Sequence, residues 1–218
     1  LKVNSFNTRT SDNHYVIKYY QYKMETLKLD CLHEIFCDII SEPCFDELRT
    51  KKQLGYIAFA SYKNSYGTLG FTIEVKSSVE NHKTEYIREC IEDFSNNQLQ
   101  ELFNNLTEET FDNHRKSIIL AKQSKDDSLN DEVKRNLNYL IENDRKLDGS
   151  IPFDTHLKKC EVLEKLEFKE LKDFAFDILQ NSKILDIIVE GHVAEEPSSP
   201  KQDEGDSKFA GDDIKSYK

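Results

Sequence analysis

Tryptophan is absent from the 218 residues, methionine occurs once, and glycine and proline number only seven and four. So few chain breakers over this length exclude a collagen-like or low-complexity chain and leave room for long elements. Basic charge is also scarce: 30 Lys and Arg stand against 41 Asp and Glu, a formal net charge of −11. Nucleic-acid binders take most of their affinity from a basic face that neutralises phosphates. No such face is evident, so no nucleic-acid partner is expected. No run reaches the roughly 18 apolar residues of a membrane-crossing helix, so no membrane association is expected either. CxxC is missing, and the five cysteines at 31, 37, 44, 90 and 160 are odd in number with no short-spaced framework. Buried free thiols in a reducing, cytoplasmic compartment are the expectation. The chain begins at Leu1 and shows no signal peptide, and a segment of a longer protein is expected.

What is present reads as one α+β domain over residues 1–192, followed by an acidic, disordered tail over 193–218. Residues 14–24 (HYVIKYYQYKM) are rich in β-branched and aromatic side chains and read as a strand packed on both faces. From Thr26 the period changes: Leu32, Ile35, Phe36, Ile39 and Ile40 recur at helical spacing. Ser41-Glu42-Pro43 reads as a cap with a proline in a new first turn. A short second helix would then carry Phe45 and Leu48 inward and end near Lys52.

Residues 54–63 and 69–76 read as two strands joined through Asn64-Ser65-Tyr66-Gly67 into an antiparallel hairpin. A helix over about 84–103 follows, with Ile87, Ile91 and Phe94 inward. Another, capped by Thr107, carries Phe111, Ile118 and Leu120, and a third uses Leu129, Val133, Leu137 and Leu140. After a break at 149–152 come a helix from about Phe153 and one burying Leu171, Phe174, Ala175 and Ile178. The run 184–189 (ILDIIV) reads as a last strand. Strands and helices are segregated, which argues for a mostly antiparallel sheet with helices packed on one face.

Metal and nucleophile motifs come close and fail. His33-Glu34-Ile35-Phe36-Cys37 begins like HExxH, but Cys37 stands at the second histidine. His82-Lys83-Thr84-Glu85-Tyr86 begins like HxxEH, but Tyr86 closes it. The six histidines at 14, 33, 82, 114, 156 and 192 offer no pair at helical metal spacing, so no metal and no cofactor is expected in this chain. GxSxG, GxGxxG and the P-loop are absent. The informative stretch is 39–59, IISEPCFDELRTKKQLGYIAF. It delivers Arg49 near a helix end, then a glycine, then a strand led by Tyr56. Two readings stay open: a guanidinium and a phenol donating to peptide carbonyls, or an arginine neutralising a helix terminus beside a strand aromatic.

The elements SEPCF, LRTK and QLGYI in one register closely resemble the C-terminal, fourth domain of insulinase-type zinc metallopeptidases, the inverzincins. Tyr19-Tyr20-Gln21 upstream and Leu106-Thr107-Glu108-Glu109-Thr110-Phe111 downstream are similar to the family as well. The resemblance implies homologous α+β domains closing a substrate chamber, with the zinc, HxxEH and the catalytic glutamate in the N-terminal half. It implies that Arg49 and Tyr56 orient the scissile peptide and stabilise the developing oxyanion, and that Phe45 forms part of the substrate-binding wall. The expected partners are the N-terminal catalytic half, on the same or a separate chain, and peptide substrates. A homodimer of the full-length protein is a further expected assembly. The fragment alone is expected to be inactive. The alternative is a non-catalytic scaffold or processing-complex subunit of the same fold.

Overall fold

A computed structural model describes residues 12–143 and 154–191. The break at 149–152, Phe153 and the tail over 193–218 lie outside the described residues. Strand β1 (Asn13–Met24) leads into helix α1 (Leu27–Phe45), which continues as a π-helical turn, Asp46–Lys51. The hairpin β2 (Ile57–Ser65) and β3 (Thr68–Ser78) follows. Helix α2 (Thr84–Asp93) passes through a second π-helical turn, Phe94–Gln98, into α3 (Leu99–Asn105). Helices α4 (Glu108–Gln123), α5 (Leu129–Asn143), α6 (Thr155–Leu163) and α7 (Phe168–Asn181) precede β4 (Lys183–Val189). The sheet is antiparallel in the order β2-β3-β1-β4. The fold is α+β.

Strand alternation decides which face meets the helices. Val16 and Tyr20 of β1 and Phe71, Ile73 and Val75 of β3 are buried in the core beneath α1 and α2, and Tyr22 near the end of β1 meets Phe174 of α7 with ring centroids 5.5 Å apart. The Tyr20 and Phe71 rings stack with centroids 4.4 Å apart. Phe36 of α1 then meets Phe71 and Phe103 at 5.2 Å and Phe174 at 6.0 Å, joining sheet, α3 and α7 in one core. On the opposite face Gly70 lies under the Tyr19 ring, where a Cβ would be 2.4 Å from the Tyr20 carbonyl oxygen and 2.8 Å from Tyr19 Cε2.

Several expectations are corrected. The outer face of β1, with Tyr15, Ile17 and Tyr19, is half-buried, so the strand is fully packed on one side only. That side includes Lys18, whose ammonium is held by Glu92 at 2.8 Å and Asp186 at 3.0 Å. Ser41 caps nothing: Pro43 lies inside α1, and the helix runs on to Phe45. The helix over 84–103 is continuous but widened by the second π turn. Thr107 does cap α4, accepting the Thr110 N–H at 3.2 Å. Leu120, Leu129, Val133, Leu137 and Leu140 are exposed, as are the apolar residues of β4, which among the described residues pairs with β1 alone.

Candidate functional site: a helix-strand corner

The corner begins where α1 meets Pro43. Past that residue, the Asp46 N–H reaches both the Glu42 and Pro43 carbonyls, and the ladder then slips to π spacing, with Lys52 N donating to Glu47 O at 2.9 Å. A π turn inserts a residue and rotates the side chains beyond it. Leu48 turns fully inward while Arg49 turns out to the surface. The chain reverses at Gln53, whose φ of 50° lies in the left-handed region, and Leu54 N closes onto Leu48 O at 3.0 Å. Leu54 is fully buried, so strand pairing starts only at Ile57, three residues later than the apolar pattern suggested.

Gly55 makes the junction. A Cβ at this position would lie 2.0 Å from the Lys76 carbonyl oxygen and 2.9 Å from Ser77 Cα. Only glycine lets the backbone press this closely on β3. The approach sets Tyr56 directly before Ile57, whose partner across the hairpin is Lys76. Lys52 is anchored to Asp93 at 3.3 Å, and His82 Nε2 lies 3.2 Å from the Gln53 carbonyl. The corner is a rigid mount.

The side chains it mounts are free. Phe45 is 43% exposed and Tyr56 49% exposed. The Arg49 guanidinium lies over the Phe45 ring at 4.9 Å, and the Lys76 ammonium lies 5.2 Å from the Tyr56 ring centroid. Such cation–π contacts orient a side chain while leaving its hydrogen-bonding groups in solvent. Among the described residues, neither the Arg49 guanidinium nor the Tyr56 hydroxyl has a hydrogen-bond or ion-pair partner. Arg115, by contrast, donates to the Leu166 carbonyl at 2.8 Å and to Asp112 at 2.7 Å. The helical period placed Phe45 inward; the structure brings it out as the platform under Arg49. Lys76 was missed because only hairpin register shows what faces Tyr56.

The histidine motifs lead elsewhere. His33 is fully buried between the Phe36, Tyr62 and Phe174 rings, with Nε2 3.4 Å from Cys37 Sγ. Burial holds its imidazole down at about 4, and burial pushes the Cys37 thiol well above its usual range. The donors do not fit a zinc site: among the described residues no three His, Cys, Asp or Glu side chains converge on one point. Nearby, Lys159 lies 2.8 Å from buried Asp30, which also accepts from the Tyr62 hydroxyl at 2.8 Å. That network satisfies its own charges. All five cysteines are free, and no described helix is long and apolar enough to cross a membrane.

Residues 35–137 match the family model "PQQ synthase PqqF-like, C-terminal lobe domain 4". The chain is 30% identical to human nardilysin over 210 residues, covering 94% of this chain and 18% of that protein. It is 32% identical to human insulin-degrading enzyme over 150 residues, covering 69% of this chain and 14% of that protein. Pitrilysin superposes with a TM-score of 0.69 at 15% identity, over 84% of this chain and 19% of that one, a likeness of fold. The chain thus spans less than a fifth of these relatives' length. The aligned span, the matched lobe-4 model and the shared fold agree, and the chain belongs to the insulinase-type peptidase family as a C-terminal domain.

Proposed function

We propose that this chain is the zinc-free C-terminal domain of an insulinase-type zinc metalloendopeptidase, and that Arg49 and Tyr56 position the peptide being cut. The observation that carries this reading is the contrast at the corner. The backbone from Leu48 to Ile57 is locked by burial, a left-handed residue and a glycine jammed against β3, while two strong donors stand upon it with no hydrogen-bond or ion-pair partner among the described residues. A guanidinium offers a fork of N–H groups and a phenol offers one O–H, a set that suits backbone carbonyls. Donors fixed before substrate arrives need no reorganisation as negative charge grows on the attacked carbonyl oxygen. Phe45, beneath Arg49, would add an apolar wall for a substrate side chain. The metal, its ligands and the general base belong to an N-terminal half that this chain joins, and a peptide is the substrate. The isolated chain is therefore inactive in this reading, and a cytoplasmic setting and self-association of the full-length protein are part of the same expectation.

The test is made in the full-length protein. Tyr56→Phe and Arg49→Ala are expected to lower kcat by roughly 10²-fold, on the scale of one lost oxyanion donor, while thermal unfolding stays unchanged. Unchanged turnover in both variants would overturn the assignment.

A further inference from the structure

The same π turn that brings Arg49 outward lines a second feature. Asp46, Glu47 and Lys51 from this turn, and Phe94 and Gln98 from the other π turn, border a cleft of about 670 Å³ that α3 and the start of α4 complete. Gln98 Nε2 donates to Glu47 Oε1 at 3.0 Å, tying the two turns together. π turns are rare and concentrate at functional sites, and here two of them border one cavity. Its volume is within the range of pockets that hold small ligands.

The lining has a definite chemistry. Phe94 and Leu106 are buried beneath the cleft and Leu102 is half-buried, so its floor is apolar. Four carboxylates, Glu42, Asp46, Glu47 and Glu101, stand against one cation, Lys51. Lys51 lies 3.0 Å from Asp46 and 3.4 Å from Glu47 and is thereby occupied. Glu42 and Glu101 are exposed, and their carboxylates have no hydrogen-bond or ion-pair partner among the described residues.

We propose that this cleft docks a cationic peptide segment of a separate polypeptide. One aliphatic side chain rests against Leu102 on the apolar floor, and flanking Lys or Arg residues pair with Glu42 and Glu101. The charge of the lining selects the partner's sign, and the apolar floor selects a peptide over a bare cation. The inference does not depend on the peptidase reading, since it concerns binding by this chain alone.

The experiment is fluorescence anisotropy with a fluorescein-labelled Lys-Arg-Leu-Lys-Arg peptide titrated with the 218-residue chain. Saturable binding is expected, weakened about tenfold or more in the Glu42→Lys/Glu101→Lys variant, where two attractions become repulsions. Because the chain carries a net charge of −11, the control is Glu161→Lys/Glu164→Lys, the same charge change on exposed positions of and beside α6. Neither residue lines the cleft and exposed charges outside it are screened, so this control is expected to bind within about twofold of wild type. Replacing the peptide's leucine by serine is expected to weaken binding. Far-UV circular dichroism checks that both variants remain folded. Equal loss in the two charge variants, equal binding of the serine peptide, or no saturable binding would each overturn the proposal.

Discussion

Helices α7 and α5 carry the same kind of sequence and meet opposite fates. In α7, Leu171, Phe174, Ala175 and Ile178 recur at helical spacing and are buried, with Phe174 touching Phe36, His33 and Tyr22. In α5, Leu129, Val133, Leu137 and Leu140 recur just as regularly and are 76%, 54%, 50% and 41% exposed. Periodicity states which side chains share a face. It does not state what lies opposite. α7 packs against α1 and α3 and reaches Tyr22 of β1, and nothing described covers the stripe of α5. In a chain that spans less than a fifth of its relatives' length, such a stripe is what an uncovered domain surface looks like.

Mutation and pH can break or sharpen that contrast. The largest effect is expected on the buried side: Phe174→Ala should cost roughly 3–5 kcal/mol, the range for aromatic truncations that leave a cavity. Urea unfolding measures it, and a loss under about 1 kcal/mol would mean that α7 is not part of the core.

Next comes acid. His33 packs against Phe174, and burial lowers its pKa from 6.5 to about 4. In the window between those values the unfolded chain takes up a proton that the folded chain refuses, so stability falls as pH drops from 6.5 to 4. The loss should be on the order of 3 kcal/mol, less any share the core recovers by relaxing. His33→Phe should remove that share of the pH dependence while the surface carboxylates titrate as before. Equal acid sensitivity of the variant and wild type, compared by urea unfolding at pH 7 and pH 4, would show that the imidazole is not held neutral.

The smallest effect is expected on α5. Val133→Ser and Leu137→Ser should each change the stability of this chain by less than about 0.5 kcal/mol, as exposed positions do. A loss several times larger would place the stripe inside a core and erase the contrast.

The corner shows how far a sequence can be read. Leu48 inward, Arg49 near a helix end and a strand close behind Tyr56 follow from residue types and spacing. The β2–β3 hairpin and the capping of α4 by Thr107 follow from equally local signals, whereas the sheet order β2-β3-β1-β4 does not, since β1 pairs with strands far away in the chain. Pro43 misled, because a proline at a first helical turn and one inside a helix look alike until the backbone around it is known. Phe45 misled for a related reason: with α1 continuous through Pro43, the inward position of that turn is the fully buried Cys44, and Phe45 falls beside the stripe. Lys76 beside Tyr56, and Glu101 across the cleft from Glu42, are far apart in sequence. No local pattern could pair them.

By itself, the sequence determined the class of fold, the core faces of α1 and α7, and a motif specific enough to assign the family. These depend on short-range spacing, which a one-dimensional string preserves. Only the tertiary structure decided that Gly55 is needed because the Lys76 carbonyl lies against it, that Lys76 lies over the Tyr56 ring, and that four carboxylates gather over an apolar floor. Those facts are distances between residues tens of positions apart, and they exist only once the chain has packed.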